Sequence, residues 1–238
     1  REEARADGRF KAGATDIAID DVAAIAKEAG DAIMAIFGAP VRHGNHASQA
    51  CFVALEMMED LERLHNLWRS EGLPELDIGI GMNTGPMSVG NMGSEVRFDY
   101  TVMGDNVNLG SRLEGINKEY RTNIIISEST FESAKDFIHA REMDLVRVKG
   151  KREPVRIYEL LGKGPPPHET KRLIEEFDRA MKLYRAQEWD EAIAVFDLIR
   201  TEIKIDDGPS SMYIQRCQRL KLSPPGEHWD GTYTMTTK

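Results

Sequence analysis

The sequence, 238 residues long, predicts an α+β fold followed by a small helical appendage. Three observations point there. Between Asp31 and Leu161, short β-rich runs alternate with stretches of helical period, and such alternation builds a sheet with helices packed on it. Lys163-Gly164-Pro165-Pro166-Pro167 can continue neither helix nor strand, because proline fixes φ and lacks an amide donor. Beyond those prolines the apolar residues recur at helical spacing. The expected division is a domain over 1–162, a stiff linker over 163–168 and a helical C-terminal extension over 169–238.

Residues 1–30, with a mixed-charge start, an Ala/Ile/Asp-rich middle and no stop signal before Gly30, are expected to be helical. From Asp31 the run DAIMAIFGAPV is short, apolar and closed by Gly-Ala-Pro, which predicts a buried strand entering a turn. Between Ala47 and Trp68, residues Ala47, Ala50, Cys51, Ala54, Leu55, Met58, Leu61, His65 and Trp68 fall at three- and four-residue steps, one apolar helix face. Leu76 to Asn83 alternates, Thr84-Gly85-Pro86 turns the chain and Met87 to Gly90 starts another strand, so a hairpin is expected. A helix at Asn106 to Asn117, a strand at Asn123 to Ser127, a short helix at Ser129 to Lys135 and strands near Leu145 to Lys149 and Val155 to Leu161 complete the alternation.

After the prolines, Phe177, Ala180, Met181 and Tyr184 form one helical stripe, and Ala192, Val195, Phe196 and Ile199 another, joined across Glu188-Trp189-Asp190. A single hairpin of this tetratricopeptide-like kind cannot bury its own face and has to dock on something. The tail, with Pro224-Pro225 and Trp229, is expected to wrap back over a surface.

Composition removes several classes of function. A net charge of −9 without a Lys/Arg stripe excludes nucleic acid as a partner. Cys51 and Cys217 stand far apart, without metal-like spacing, which suits a reducing compartment and excludes a disulfide scaffold or zinc cluster. The longest near-continuous apolar run, Ala32 to Val41, falls well short of the ~20 residues needed to cross a bilayer. A cytoplasmic location is expected. The chain starts at Arg1 without a signal segment, so the expectation is a fragment whose upstream sensor or membrane region is missing. Gly79 to Gly85 has the wrong spacing and context for a dinucleotide fingerprint, and no P-loop occurs. His43 and His46 read as a solvated turn pair rather than a metal site.

The informative stretch is FDYTVMGDNVNLGSRLEGIN, Phe98 to Asn117. If a helix begins after Gly104-Asp105, Asn108 and Arg112 are four apart and share one face, while Leu109, Leu113 and Ile116 take the neighbouring apolar face. An amide and a guanidinium then point together off a buried helix. Taken alone, such a pair is more often a solvated face.

GDAIMAIFGAP at 30–40, YTVMGDNVNLGSRLEG at 100–115 and VRVKGKREPVRIYELLG at 146–162 together resemble the catalytic domain of class III nucleotidyl cyclases, the adenylate and guanylate cyclases. The resemblance covers residues 27–162, and residues 1–26 diverge from it or are truncated. LYRAQEWDEAIAVF, DGPSSMYIQRC and PPGEHWDG resemble the C-terminal extension of bacterial members. It implies a ferredoxin-like βαββαβ core and a head-to-tail homodimer with an active site in each groove between chains. The implied activity is an adenylate cyclase, which converts ATP to 3′,5′-cyclic AMP and pyrophosphate.

By the same resemblance Asp31 matches a metal-binding aspartate, for two Mg²⁺ or Mn²⁺ ions per site. Lys27 and Thr101 match the base-reading positions, Asn108 and Arg112 the pair that stabilises the transition state, and Lys149 a lysine that holds the terminal phosphates. Asp31 acts from one chain and the other five from its partner. The family's other metal aspartate sits in an F-x-D-I-x-x-F-T strand several tens of residues upstream of GDA. Here Thr15-Asp16-Ile17 echoes it far closer to Asp31, and the role is not carried to Asp16. That departure keeps an alternative open: a catalytically silent cyclase-homology module that dimerises or binds nucleotide to regulate a partner. A diguanylate cyclase is excluded because its G-G-[DE]-E-F hairpin is missing.

Overall fold

Residues 9–12, 15–18, 24–29, 32–94, 97–147, 153–226 and 229–234 are described by a computed structural model, and the chain divides into two units. One comprises residues up to 78 together with 86–107, the other 79–85 together with 108 onward.

The first unit opens with β1 (Arg9–Ala12) antiparallel to β2 (Thr15–Ala18), then β3 (Ala24–Ala29) antiparallel to β4 (Ala32–Phe37), with Lys27 opposite Met34. The helix expected over residues 1–30 is therefore corrected to strands at residues 9–12, 15–18 and 24–29, and the rest of that stretch lies outside the described residues. The alanines, Lys27 and Glu28 of β3 favour helix locally, yet β4 brings Ile33 and Ile36 alongside, and pairing along the full length of both strands overrides the local preference. β4 is one-sided rather than wholly buried: Ile36 is buried, while Ile33 is 60% exposed.

α1 (His46–Glu71) follows with Ala47, Ser48, Cys51, Ala54 and Leu61 buried on one face. It stops at Gly72, whose left-handed backbone (φ 69°) lets its N–H cap Arg69 O. β5 (Ile80–Met82) belongs to the second unit, and the chain returns to the first for β6 (Ser88–Ser94) antiparallel to β7 (Arg97–Met103).

The expected hairpin between residues 76–83 and 87–90 does not form. β5 pairs in parallel with β8 (Ile124–Ser127), and β6 pairs with β7. Polar ties explain why the chain does not turn back at Thr84. Ser129 Oγ donates to Asn83 Oδ1 at 3.1 Å and to Thr84 O at 2.7 Å, and the hydroxyls of Thr84 and Thr130 meet at 3.0 Å.

α2 (Asp105–Tyr120) leads into the second unit, where α3 (Glu128–Ala134), β9 (Ile138–Arg147) and β10 (Val155–Lys163) follow β8. The proline-rich residues separate β10 from α4 (His168–Arg185). Next come α5 (Trp189–Leu198), a π-helical turn at Ile199–Ile203, α6 (Gly208–Leu222) and β11 (Tyr233–Thr234). The sheet order is β11-β9-β10-β8-β5, with β11 and β5 parallel to their neighbours and the β9-β10-β8 pairs antiparallel. The mixed α+β class expected from the sequence is the one observed.

One core joins sheet and helices. Leu113 and Ile116 of α2, Ile125 of β8, Met143 of β9 and Ile157 of β10 share it with Phe177 and Tyr184 of α4, Phe196 of α5 and Tyr213 of α6. The helical hairpin thus docks on the sheet of its own chain, and the tail does wrap back. Trp229 packs against Tyr184 and Trp189 at centroid distances of 5.2 and 5.7 Å, and β11 then pairs with the end of β9. α6 has no counterpart among the sequence stripes. Asp207 caps its N-terminus by accepting from Ser210 N, and Pro209 sits in the first turn, where its missing donor costs nothing.

Candidate active site

α2 shows how the sequence positions a polar pair. Leu109, Leu113 and Ile116 are 3%, 0% and 1% exposed, whereas Asn108 and Arg112 are exposed on the other side. Asp105 lies in the first turn, where its carboxylate complements the positive end of the helix. Residues four apart on a helix are neighbours, so an amide and a guanidinium stand side by side on a helix whose opposite face is held in the core.

The backbone of β5 lies against that helix. A Cβ added to Gly81 would stand 2.1 Å from Glu114 N and 2.4 Å from Gly110 O, so only glycine fits there. Asn117, 3% exposed, donates through Nδ2 to Ile80 O and Glu114 O, both at 3.0 Å, and accepts at Oδ1 from Thr122 Oγ1 at 3.0 Å. The sequence reading did not single Asn117 out. The signal was there: it stands four residues after Leu113, where the buried stripe calls for an apolar side chain.

Thr101 lies on β7 opposite Gly90 and is half-buried. Lys27 lies on β3. Both belong to the first unit, whereas Asn108 and Arg112 belong to the second. Asp31 and Lys149 fall outside the described residues. Among the described residues no three His, Cys, Asp or Glu side chains gather as a metal-holding group.

Behind α2, buried charges tie the sheet to the helices. Arg141 on β9 donates through Nε to Glu159 and through its two terminal nitrogens to Asp207 at 3.1 and 2.8 Å. Burial pushes the Asp207 carboxyl up, but the charge and hydrogen bonds of Arg141, with Lys204 and Ser210, outweigh it and hold the group at about 2. A second set centres on Asp144, which accepts from Tyr120 OH at 2.5 Å and Arg216 Nη1 at 2.7 Å. The Arg216 guanidinium stands 3.9 Å from the Tyr233 ring centroid, a cation–π contact.

The family profile of the adenylate and guanylate cyclase catalytic domain matches residues 17–162, more than half of the chain. The chain belongs to the adenylate and guanylate cyclase catalytic domain family. As a nucleotidyl cyclase domain it is similar to "Adenylate cyclase 1" of Rhizobium meliloti, 40% identical over 133 residues, which are 56% of this chain and 20% of the relative. It is also similar to the "Adenylate cyclase, terminal-differentiation specific" of Dictyostelium discoideum, 37% identical over 208 residues, 83% of this chain and 9% of the relative. The chain thus spans about a fifth or less of the length of these two relatives.

Among solved structures, the guanylyl cyclase Cya2 aligns with a TM-score of 0.54 at 37% identity, covering 61% of this chain and 73% of that one. The adenylyl cyclase CyaB from P. aeruginosa aligns with a TM-score of 0.54 at 33% identity, covering 61% and 74%. A guanylyl and an adenylyl cyclase match equally well, so the choice of base rests on individual side chains and not on the fold. Among the described residues no helix is long and apolar enough to cross a membrane.

Proposed function

We propose that this chain is the catalytic part of an adenylate cyclase that converts ATP to 3′,5′-cyclic AMP and pyrophosphate. The observation that carries the reading is the Asn108/Arg112 pair, exposed together on α2 within the stretch matched by the cyclase family. Relatives named adenylate cyclases at 37–40% identity support ATP as the nucleotide. The proposed division keeps residues 1–162 as catalytic domain and 169–238 as its extension, in a cytoplasmic homodimer with shared sites.

In the reaction the ribose 3′-oxygen attacks the α-phosphorus, the bond to the bridging oxygen breaks and pyrophosphate leaves, and the hydroxyl proton passes to solvent water. Negative charge grows on the equatorial oxygens. Arg112 meets those oxygens with its fork of donors, and Asn108 orients the ribose. Loss of a preorganised donor of this kind costs about 10²–10³ in kcat. Lys149 supplies a point charge to the departing pyrophosphate, and Lys27 with Thr101 reads the base. Asp31 would be a ligand for two divalent ions, Mg²⁺ or Mn²⁺, which when bound would lower the pKa of the hydroxyl and neutralise charge on the triphosphate.

The test is formation of cyclic AMP and pyrophosphate from ATP with Mg²⁺ or Mn²⁺. Arg112→Ala should lower kcat by about 10²–10³. In the proposed homodimer Asp31 and the Asn108/Arg112 pair are assigned to different chains, so mixing Asp31→Ala with Arg112→Ala protein should restore one working site per heterodimer. Failure to recover activity, with dimerisation verified, overturns the shared site. The departure at Thr15-Asp16-Ile17 favours a second reading, a regulatory module, and nucleotide binding without turnover selects it.

A further inference from the structure

α2 is held in the core by leucine and isoleucine side chains, and apolar burial is non-directional. It resists pulling the helix away, but resists far less a small rotation about its axis or a slide along it. Yet the proposed roles require Arg112 to aim at the α-phosphate and Asn108 at the ribose to within a fraction of an ångström. Something directional has to set the register of the helix.

Two contacts do so, both between β5 and the stretch of α2 from Gly110 to Asn117 that includes Arg112. At Gly81 the strand meets the α2 backbone between Gly110 and Glu114, the turn that carries Arg112, with no room for a Cβ. One residue earlier, Ile80 binds on both sides. Its N–H donates to Asn123 O at 2.7 Å, and its carbonyl accepts from Asn117 Nδ2 at 3.0 Å. The other end of the same amide is fixed by Thr122, whose hydroxyl donates to Oδ1 and whose backbone N–H bonds to Asn117 O at 3.0 Å. One side chain thus joins α2, β5 and the segment leading to β8. A rotation or slide of α2 large enough to re-aim Arg112 would break bonds made by a buried amide, which costs far more than shifting an apolar contact.

We infer that Asn117 is a positioning residue for the transition-state pair: its amide, working with the bare Cα of Gly81, fixes the rotation and axial position of α2 on β5 and thereby the aim of Asn108 and Arg112. The inference deepens the proposed function and rests on the roles given there to Asn108 and Arg112.

Asn117→Leu keeps the number and branching of the side-chain heavy atoms but removes every hydrogen bond of the side chain. A misplacement of about 1 Å costs on the order of 10²-fold, so kcat should fall by about ten- to a hundredfold while KM for ATP stays within about threefold. The same substitution made in Asn108→Ala/Arg112→Ala protein should cost less than about twofold, because both groups it aims are already gone. An equal loss in both backgrounds, or a loss that disappears when rates are divided by the folded fraction, overturns the inference. Thr122→Val, which removes only the bond to Oδ1, is the gentler variant should Asn117→Leu not fold. It should lower kcat in the same direction, and parental kcat would refute the pin. A crystal structure of either folded variant gives a readout free of turnover: α2 should be rotated or shifted against β5, and an unmoved helix overturns the inference. If Arg112→Ala leaves turnover unchanged, the functional reading fails on its own, and the crystal structure still decides whether Asn117 sets the helix.

Discussion

Arg141, wholly buried on β9, places its guanidinium fork squarely on the carboxylate of Asp207, the residue that caps α6. The face of the guanidinium lies 4.6 Å from the Phe177 ring centroid. A charge on the sheet is therefore neutralised by a residue of the helical segment.

Glu159 still faces Arg141 when Asp207 is replaced, so the loss stays below the about 3–5 kcal/mol of a buried charge left with no partner. Asp207→Asn should destabilise the protein by about 2 kcal/mol in equilibrium urea unfolding near neutral pH. Lys221→Ala removes the ion pair to Asp190, whose two side chains are 52% and 71% exposed, and should cost less than about 1 kcal/mol. Similar losses for the two variants would show that the Arg141 fork contributes no more than a surface pair.

The same carboxylate gives the protein an acid-sensitive element. Asp207 is held at about 2 in the folded protein, below the carboxylate range of about 4 in an unfolded chain. Its contribution is complete above pH ~4 and is lost as pH falls through ~2, a difference of about 2 kcal/mol. Thermal melts of the parent and Asp207→Asn should be well separated at pH 6 and converge as the pH approaches 2. A gap that stays constant down to pH 2 contradicts this assignment.

What the sequence disclosed follows from how local each signal was. α1 and α2 were legible because their buried faces repeat at three- and four-residue steps within a single helix, and the same arithmetic placed Asn108 beside Arg112. β3 was misread as helix because its preference is set by a neighbouring strand rather than by its own alanines. β5 was given the wrong partner because its real one, β8, is distant in sequence. α6 escaped because its buried face carries Tyr213 and Arg216. Their burial makes sense only once Met143 O and Asp144 on β9 are in place to bind them, at 2.7 Å each. Asn117 was overlooked for the same reason, since its justification is a carbonyl on another element.

The two thiols can report on the two units separately. Cys51 lies on α1 in the first unit and Cys217 on α6 in the second, both wholly buried, and burial pushes each thiol up to about 12. Thiolate is the reactive form, so a disulfide reagent at pH 8 should label each cysteine at least about 100-fold more slowly than in urea. Peptide mass spectrometry then follows the opening of each unit by its own cysteine. Labelling of either at the unfolded rate would contradict its burial.

The proposed base readers make a prediction about nucleotide choice. Adenine offers an acceptor at N1 and a donor at its amine, which suit the Lys27 ammonium and the Thr101 hydroxyl. Guanine sets an N–H against the ammonium and a carbonyl where the amine would be. Unsatisfied buried polar groups cost ~1–3 kcal/mol each, so two mismatches should separate ATP from GTP by a factor on the order of 10². Competition binding of ATP and GTP analogues measures this directly, and equal affinities or a preference for GTP would remove the role from Lys27.

β11 gives the order of synthesis a structural meaning. It covers the outer edge of β9 at Val146 and Arg147, but Tyr233 and Thr234 leave the ribosome long after β9 does. At ~5–20 residues per second that edge stays bare for several seconds, while α4, α5 and α6 are still being made. A bare strand edge is a template for pairing with other chains. The growing polypeptide is thus open to mispairing at Val146 and Arg147 until β11 has been made and takes up those positions.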